Sequence, residues 1–218
     1  MGENGVIENW KKATAGTIKL DWQEAEKALG FALHENFKDF YSRTLSDEGE
    51  RESMEVVKVF QMGKWVEGRS AYVIDGIMKF DPKELVKEQL SGADGWLDEA
   101  NGGRVFCEFS LRSISGSSSN YVSQFAREAF FGDWTGGNDF GHRAYLGELL
   151  LNIGQISLIF NNDTGKFEWV DFGYGYFDVY EENPYGIIAD TAQEFLDKIT
   201  VLEHVWKRNH FYKFSVAT

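Results

Sequence analysis

The sequence predicts an α+β fold, a single domain over residues 1–218 in which a mainly antiparallel sheet meander carries helices on one face and at both ends. Segments rich in β-branched and aromatic residues recur through the chain, which is typical of strands. Amphipathic helical patterns lie before, between and after these segments. The chain has 218 residues, of which 43% are hydrophobic, so it can build a packed core.

Two short helices open the fold. Asp21 and Glu24 form a capping box for the first helix, which is expected to end at Gly30. The second helix follows at once and carries its apolar residues on one face, namely Phe37, Phe40, Tyr41 and Leu45. Both helices therefore have a face to bury.

The middle of the chain alternates strand and helix patterns. Segments 54–62 and 71–80 predict strands, and residues 104–114 predict another. Asp81-Pro82 begins a helix, because it offers an acidic N-cap and a proline at the first helical position. A further helix that stops at Gly132 is predicted from Val122, Phe125, Ala126, Ala129 and Phe130.

The C-terminal part predicts a hairpin and a closing helix. Strands 153–160 and 166–172 flank a turn rich in Asn, Asp and Gly, and residues 176–180 form a third extended run. The closing helix is expected to start at Asp190, with Gln193 as its capping-box partner. Its buried face would consist of Ala192, Phe195, Leu196, Ile199 and Leu202.

Composition narrows the classes of function. The formal net charge of −13 disfavours nucleic acid as a direct partner, because a phosphate backbone selects for lysine and arginine. Such a surface favours solubility and rapid association with basic proteins. Cys107 is the only cysteine, so an intramolecular disulfide is excluded, and we expect a buried, unreactive thiol there.

No membrane or export signal is expected. The N-terminus lacks the apolar run of a signal peptide. The most apolar window, residues 146–160, is interrupted by Glu148, Asn152 and Gln155, so it does not predict a membrane span. A cytoplasmic location is therefore predicted, and the oligomeric state stays open.

Three segments resemble a known family. The opening helix pair "LGFALHENFKDFYSR", the meander "YLGELLLNIGQISLIFNNDTGKFEWVDFGYG" and the closing "GIIADTAQEFLDKI" are similar to the SUKH superfamily, which includes the yeast cell-wall-assembly regulator. Gly147, Gly154 and the Trp169-x-Asp171 motif carry the meander match. The resemblance is closest to a bacterial branch and covers residues 20–45 and 145–200. His34 replaces a usual proline, and the region of about 80–143 fits poorly, like an insert.

The resemblance implies an immunity protein. Such a protein is cytoplasmic, binds a polymorphic toxin made by its own cell or kin, and neutralises it by occlusion. The toxins are diverse, and a basic nuclease or deaminase domain would suit the acidic charge of this chain. The resemblance further implies binding without catalysis and without cofactors. A multi-partner regulatory scaffold is an alternative within the same family.

The residues offer little for metal chemistry. The chain has four histidines: His34, His142, His204 and His210. His204 and His210 are six residues apart, so they would point to different sides of a helix. His142 could pair with Asp139, but that stretch supplies no third ligand. We expect these histidines to be solvent-exposed loop residues and predict no metal site.

Carboxylates beside aromatic rings leave one enzymatic alternative open. A carbohydrate-active enzyme could use an acid pair near Asp171, with Glu168, Asp178, Glu181 or Glu182 as the second acid. Asp171 is equally placed to end its strand by accepting turn N–H groups, and we favour that structural role. Trp169 is expected to pack in the core.

The stretch after this strand predicts a partner surface. Strand parity puts tyrosines and acids together on one face, while Phe177 and Val179 take the other. Tyrosine gives large contact area at low entropy cost. We call this set the acidic tyrosine patch: Tyr174, Tyr176, Asp178, Tyr180, Glu181 and Glu182. An ordinary solvated strand face is the alternative.

Overall fold

The computed structural model describes nine ranges of the chain: residues 10–43, 52–61, 64–65, 72–74, 104–114, 116–135, 139–151, 154–171 and 185–201. The helices are α1 (Gln23–Leu29), α2 (Glu35–Tyr41), α3 (Ser119–Phe131) and α4 (Ala192–Lys198). A 3₁₀ turn, Asp133–Thr135, follows α3. None of the helices in these ranges is both long and apolar enough to cross a bilayer.

The strands build one large antiparallel sheet. They are β1 (Glu52–Gln61), β2 (Lys64–Trp65), β3 (Tyr72–Ile74), β4 (Arg104–Leu111), β5 (Arg143–Leu151), β6 (Gly154–Asn161), β7 (Lys166–Asp171), β8 (Tyr185–Ala189) and β9 (Ile199–Val201). Seven strands pair in the order β2-β1-β4-β5-β6-β7-β8, and β3 pairs with β9. Strands β5 to β8 are consecutive neighbours, so the α+β class and the antiparallel meander are confirmed.

An aromatic core joins the helices to the sheet. The ring centroids of Phe37 on α2 and Phe160 on β6 lie 5.4 Å apart, and those of Phe40 and Phe167 lie 5.6 Å apart. Phe195 of α4 stacks on Phe167 at 4.7 Å. Since Phe160 and Phe167 are cross-strand partners, α2 and α4 cover the same face of the sheet.

Helix α3 extends this layer. All five of its predicted buried residues are buried, and the helix ends where Gly132 was predicted to stop it. The Phe125 ring packs on Tyr41 of α2 at 4.6 Å, and the Phe130 ring packs on Phe37 at 5.4 Å. The 3.6-residue periodicity therefore identified the buried face of α3 correctly.

The N-cap predictions for two helices are wrong by one residue. Trp22, not Asp21, is the N-cap of α1, and the Asp21 carboxylate instead accepts from the Gln23 N–H at 3.1 Å. Gly30 ends this helix in the left-handed conformation, with φ of +83°, as predicted.

Helix α4 starts from Thr191, not from Asp190. The Thr191 hydroxyl accepts from the Glu194 N–H at 3.1 Å, and the Glu194 carboxylate accepts from the Asp190 N–H at 3.0 Å. This is a capping box shifted one residue from the predicted Asp190–Gln193 pair. Ile199, predicted on the buried face of the helix, is buried but belongs to β9.

At two positions a neighbouring part of the chain approaches the backbone so closely that glycine is required. A Cβ at Gly147, beside the bulge in β5, would lie 2.0 Å from the Ser110 carbonyl oxygen of β4. Gly165 ends the β6–β7 turn with φ of +71°, and a Cβ there would lie 2.2 Å from the His34 ring. The turn can therefore pack against the start of α2 only with glycine at this position.

Other sequence predictions have mixed outcomes. The strands predicted at 104–114, 153–160 and 166–172 are present with small shifts at their ends. Strand β8 was not predicted from the residues. The helix predicted at Asp81, the run at 176–180 and Leu202 lie outside the described residues.

Candidate functional site

The central sheet has two distinct faces. Residues of β6 and β7 with the parity of Phe160 and Phe167 point to the helices. Ile159 and Glu168 have the opposite parity and are cross-strand partners. Arg143 and Tyr145 of β5 join them, because they pair with Asn161 and Ile159 in register. We call this surface the second face of the sheet.

Trp134 and Phe140, which lie between α3 and β5 in the sequence, cover part of the second face. The Trp134 ring stacks on Tyr145 with centroids 6.0 Å apart and contacts Phe140 at 5.4 Å. The Trp134 indole N–H donates to the Ala129 carbonyl at 3.0 Å, which fixes the ring against the end of α3. This aromatic cover explains why Tyr145 is buried although it lies opposite the helix layer.

A cavity of about 390 Å³ lies beside this aromatic cover. Its floor is the second face, where Ile159, Glu168 and Val170 are each at most 5% exposed. Its rim is formed by the 139–143 segment. The described residues that line it are Asp139, Phe140, Gly141, Arg143, Ile159, Glu168 and Val170.

A partly buried ion pair crosses the floor of this cavity. The Glu168 Oε2 atom accepts from the Arg143 Nε–H at 3.0 Å, and the Oε1 atom accepts from the Asn161 amide at 2.8 Å. The Arg143 guanidinium also donates to the Phe140 carbonyl at 2.9 Å. Because the carboxylate is buried, these charge-assisted bonds are needed to offset its desolvation.

This network is suited to binding more than to proton transfer. Both oxygens of Glu168 accept hydrogen bonds, one from Arg143 and one from Asn161. A general acid needs a proton that it can release toward a substrate. The site instead offers a fixed, partly apolar concavity with oriented donors and acceptors.

The enzymatic alternative could pair Glu168 with Asp171, and the strand positions of the two residues bear on that option. The two positions are three apart in a regular strand, so they have opposite parity. Position 171 shares parity with Phe167 and Trp169, both of which are buried in the core. The other acids named for the enzymatic alternative, Asp178, Glu181 and Glu182, lie outside the described residues.

The acidic tyrosine patch also lies outside the described residues, from Tyr174 to Glu182. The residues on either side of it are described. Val170, which lines the cavity, pairs with Tyr185 of β8 in register. In the sequence, the patch lies between β7 and β8.

The residues named as structural have defined positions. Trp169 is 4% exposed and faces Gly186 of β8, where a Cβ would lie 2.5 Å from its indole nitrogen. Asp171 is the last residue of β7, and Gly154 is the first residue of β6. Asp190 does not cap α4; its carboxylate pairs with Lys166 at 3.0 Å.

The histidine prediction needs correction. His34 is partly buried and caps α2, where its Nδ1 atom accepts from the Asn36 N–H at 3.1 Å. His142 is exposed as expected, but its acidic partner is Asp163 at 2.8 Å and not Asp139. Within the described ranges, no cluster of three or more potential metal ligands occurs.

The sequence alone did not single out Arg143 or Phe140. Arg143 meets Glu168 across 25 residues of chain, and short-range spacing cannot show such a contact. One signal was available: in "KFEWVD", Glu168 alternates with large aromatic residues that face the core. A charged side chain at that place in a central strand must either be exposed to solvent or form an ion pair with a buried partner.

Comparison of the chain with protein-family models, with curated proteins and with solved structures found no match.

Proposed function

We propose that this chain is a cytoplasmic immunity protein, which binds a cognate polymorphic toxin and neutralises it by occlusion. It acts by binding, without a cofactor and without catalysis. The observation that carries the proposal is the cavity on the second face, because its buried acid Glu168 is held by two donors and is not free for acid–base work.

Charge and pattern add support. The net charge of −13 suits a basic toxin, such as a nuclease or deaminase domain, because complementary charge accelerates association. The segments that resemble the SUKH superfamily fold into a helix pair, a strand meander and a closing helix. These are the elements that the resemblance implies, although a fold alone does not assign a function.

The partner surface in this proposal combines the cavity with the acidic tyrosine patch. The two are adjacent in the chain, since the connection that carries the patch begins directly after β7. Tyrosines together with acids are the composition expected of a surface that binds a basic protein.

The direct experiment uses the toxin domain encoded by the gene beside this one. The two purified proteins are mixed and separated by gel filtration in a buffer of physiological ionic strength. We expect one peak that contains both chains in a fixed stoichiometry. Separate elution of the two chains, with every toxin candidate encoded nearby, would exclude the proposal.

A further inference from the structure

The charges that line the cavity do not balance. The lining holds two carboxylates, Asp139 and Glu168, and one guanidinium, Arg143. Arg143 and Glu168 are paired at 3.0 Å, so they largely neutralise each other. Asp139 is exposed at the rim and forms no ion pair with any described residue. The described residues of the lining therefore present one uncompensated negative charge.

The position of Asp139 is fixed by its own backbone. One of its carboxylate oxygens, Oδ1, accepts from the Gly141 N–H at 2.8 Å, which closes a short turn at the rim. Gly141 has a φ of +62°, a conformation that suits glycine. The carboxylate thus has a defined direction, and its remaining acceptor capacity is available to a ligand.

The rest of the lining is suited to a long side chain with an apolar stem. Ile159 and Val170 supply aliphatic contacts on the floor, and Phe140 supplies an aromatic ring at the rim. Arginine has an aliphatic stem and a planar cation that stacks on rings and binds carboxylates through two parallel hydrogen bonds. A cavity of about 390 Å³ is within the range of sites that enclose whole small ligands.

We propose that this cavity is the anchor pocket for an arginine side chain of a basic protein partner. The inference rests on the proposed function, because it assumes that a protein is the natural occupant. The guanidinium would lie at the rim between Asp139 and the Phe140 ring, with its stem on Ile159 and Val170. Arg143 does not repel it strongly, because Glu168 already compensates its charge.

The test uses N-acetyl-arginine amide as the probe and the full chain labelled with ¹⁵N. We expect saturable shifts of the Gly141 and Val170 backbone amides, with a dissociation constant on the order of 1 mM for so small a ligand. N-acetyl-citrulline amide has nearly the same shape without the charge, and should bind at least about fivefold more weakly. Equal binding of the two probes, or no saturable shift at these amides, would overturn the anchor pocket.

A pair of variants separates local charge from total charge. Asp139→Asn removes the charge but keeps the oxygen that accepts from Gly141, so the turn should persist. Asp197→Asn removes the same charge from an exposed position on α4, in the helix layer. We expect Asp139→Asn to weaken probe binding at least about fivefold and Asp197→Asn to change it less than about twofold. Similar effects of the two variants would contradict the assignment, and the amide spectra show whether each variant is folded.

Failure of this inference is distinguishable from failure of the proposed function. The probe experiment needs no toxin, so a negative result removes the arginine pocket and leaves toxin binding to be judged by gel filtration. A toxin complex whose affinity is equal for Asp139→Asn and Asp197→Asn would also remove only the pocket. A chain that binds the probe but no toxin would remove only the immunity function.

Discussion

A few residues make the polar contacts on the second face of the sheet. Glu168 is 5% exposed and is held by Arg143 and Asn161. Removing a buried carboxylate leaves two donors without their acceptor, and that loss costs more than the net contribution of the intact pair. We therefore expect these residues to contribute to the stability of the fold.

Glu168→Ala is therefore expected to destabilise the protein by about 3 kcal/mol. The value lies at the low end of the usual range because the Arg143 side chain is 30% exposed and can regain water. Urea unfolding of Glu168→Ala, Arg143→Ala and the double variant measures the coupling. These variants form a double-mutant cycle. A coupling energy between the two substitutions below about 0.5 kcal/mol would mean that the ion pair is not formed in solution.

Tyr41 contrasts with Glu168, because its buried hydroxyl group adds no stabilising hydrogen bond within the described ranges. It is fully buried, burial raises its pKa, and its hydroxyl has no hydrogen-bond partner among the described residues. Tyr41→Phe should stabilise the fold by about 1 kcal/mol, because it removes a desolvated polar group and keeps the ring contacts. Thermal unfolding tests this, and a lower midpoint for the variant would show that the hydroxyl has a partner.

At the scale of elements, the exact start of α4 was not predictable from sequence. Asp190 and Thr191 are adjacent cap-forming residues, and Gln193 and Glu194 are both suitable partners. The tertiary fold decides between them. The Asn36 amide of α2 donates to the Asp190 carbonyl at 2.8 Å, so Asp190 belongs to the approach to the helix and Thr191 becomes the cap.

This cap assignment predicts an order of effects. Thr191→Ala should cost about 1 kcal/mol, because the Glu194 N–H loses its acceptor. Asp190→Ala, the matched control, removes only an exposed ion pair with Lys166 and should cost less than about 0.5 kcal/mol. Chemical denaturation of both variants measures the difference. The reverse order would restore Asp190 as the cap.

Periodicity predicted most of the elements that bury one face. Phe37 and Phe40 on α2, and Phe125 and Phe130 on α3, were placed correctly because their spacing matches the helical repeat. Strand β8 was not predicted, because it is only five residues long and directly precedes a strong helix signal. The cavity was not predicted from the sequence, because Arg143 and Glu168 are brought together only by the pairing of β5, β6 and β7.

At the scale of the whole molecule, net charge and the acidic tyrosine patch bear on association. Reversing the charges of Asp178, Glu181 and Glu182 should weaken toxin binding and flatten its dependence on salt, because long-range attraction is screened by ions. The control reverses Glu24, Glu35 and Asp197, which are exposed residues of the helix layer. Calorimetric titration across a salt series measures both. Equal losses from the two triple variants would mean that total charge, and not the patch, determines affinity.

We expect the proposed immunity protein to protect a cell from its toxin by binding it, and the growth of that cell measures the protection. A strain that expresses the neighbouring toxin domain from an inducible promoter is co-transformed with the wild-type gene or with an empty vector. We predict that induced cells grow with the wild-type gene and stop growing with the empty vector. Growth arrest in both, with the protein present in soluble form and with each neighbouring toxin candidate, would contradict the immunity function.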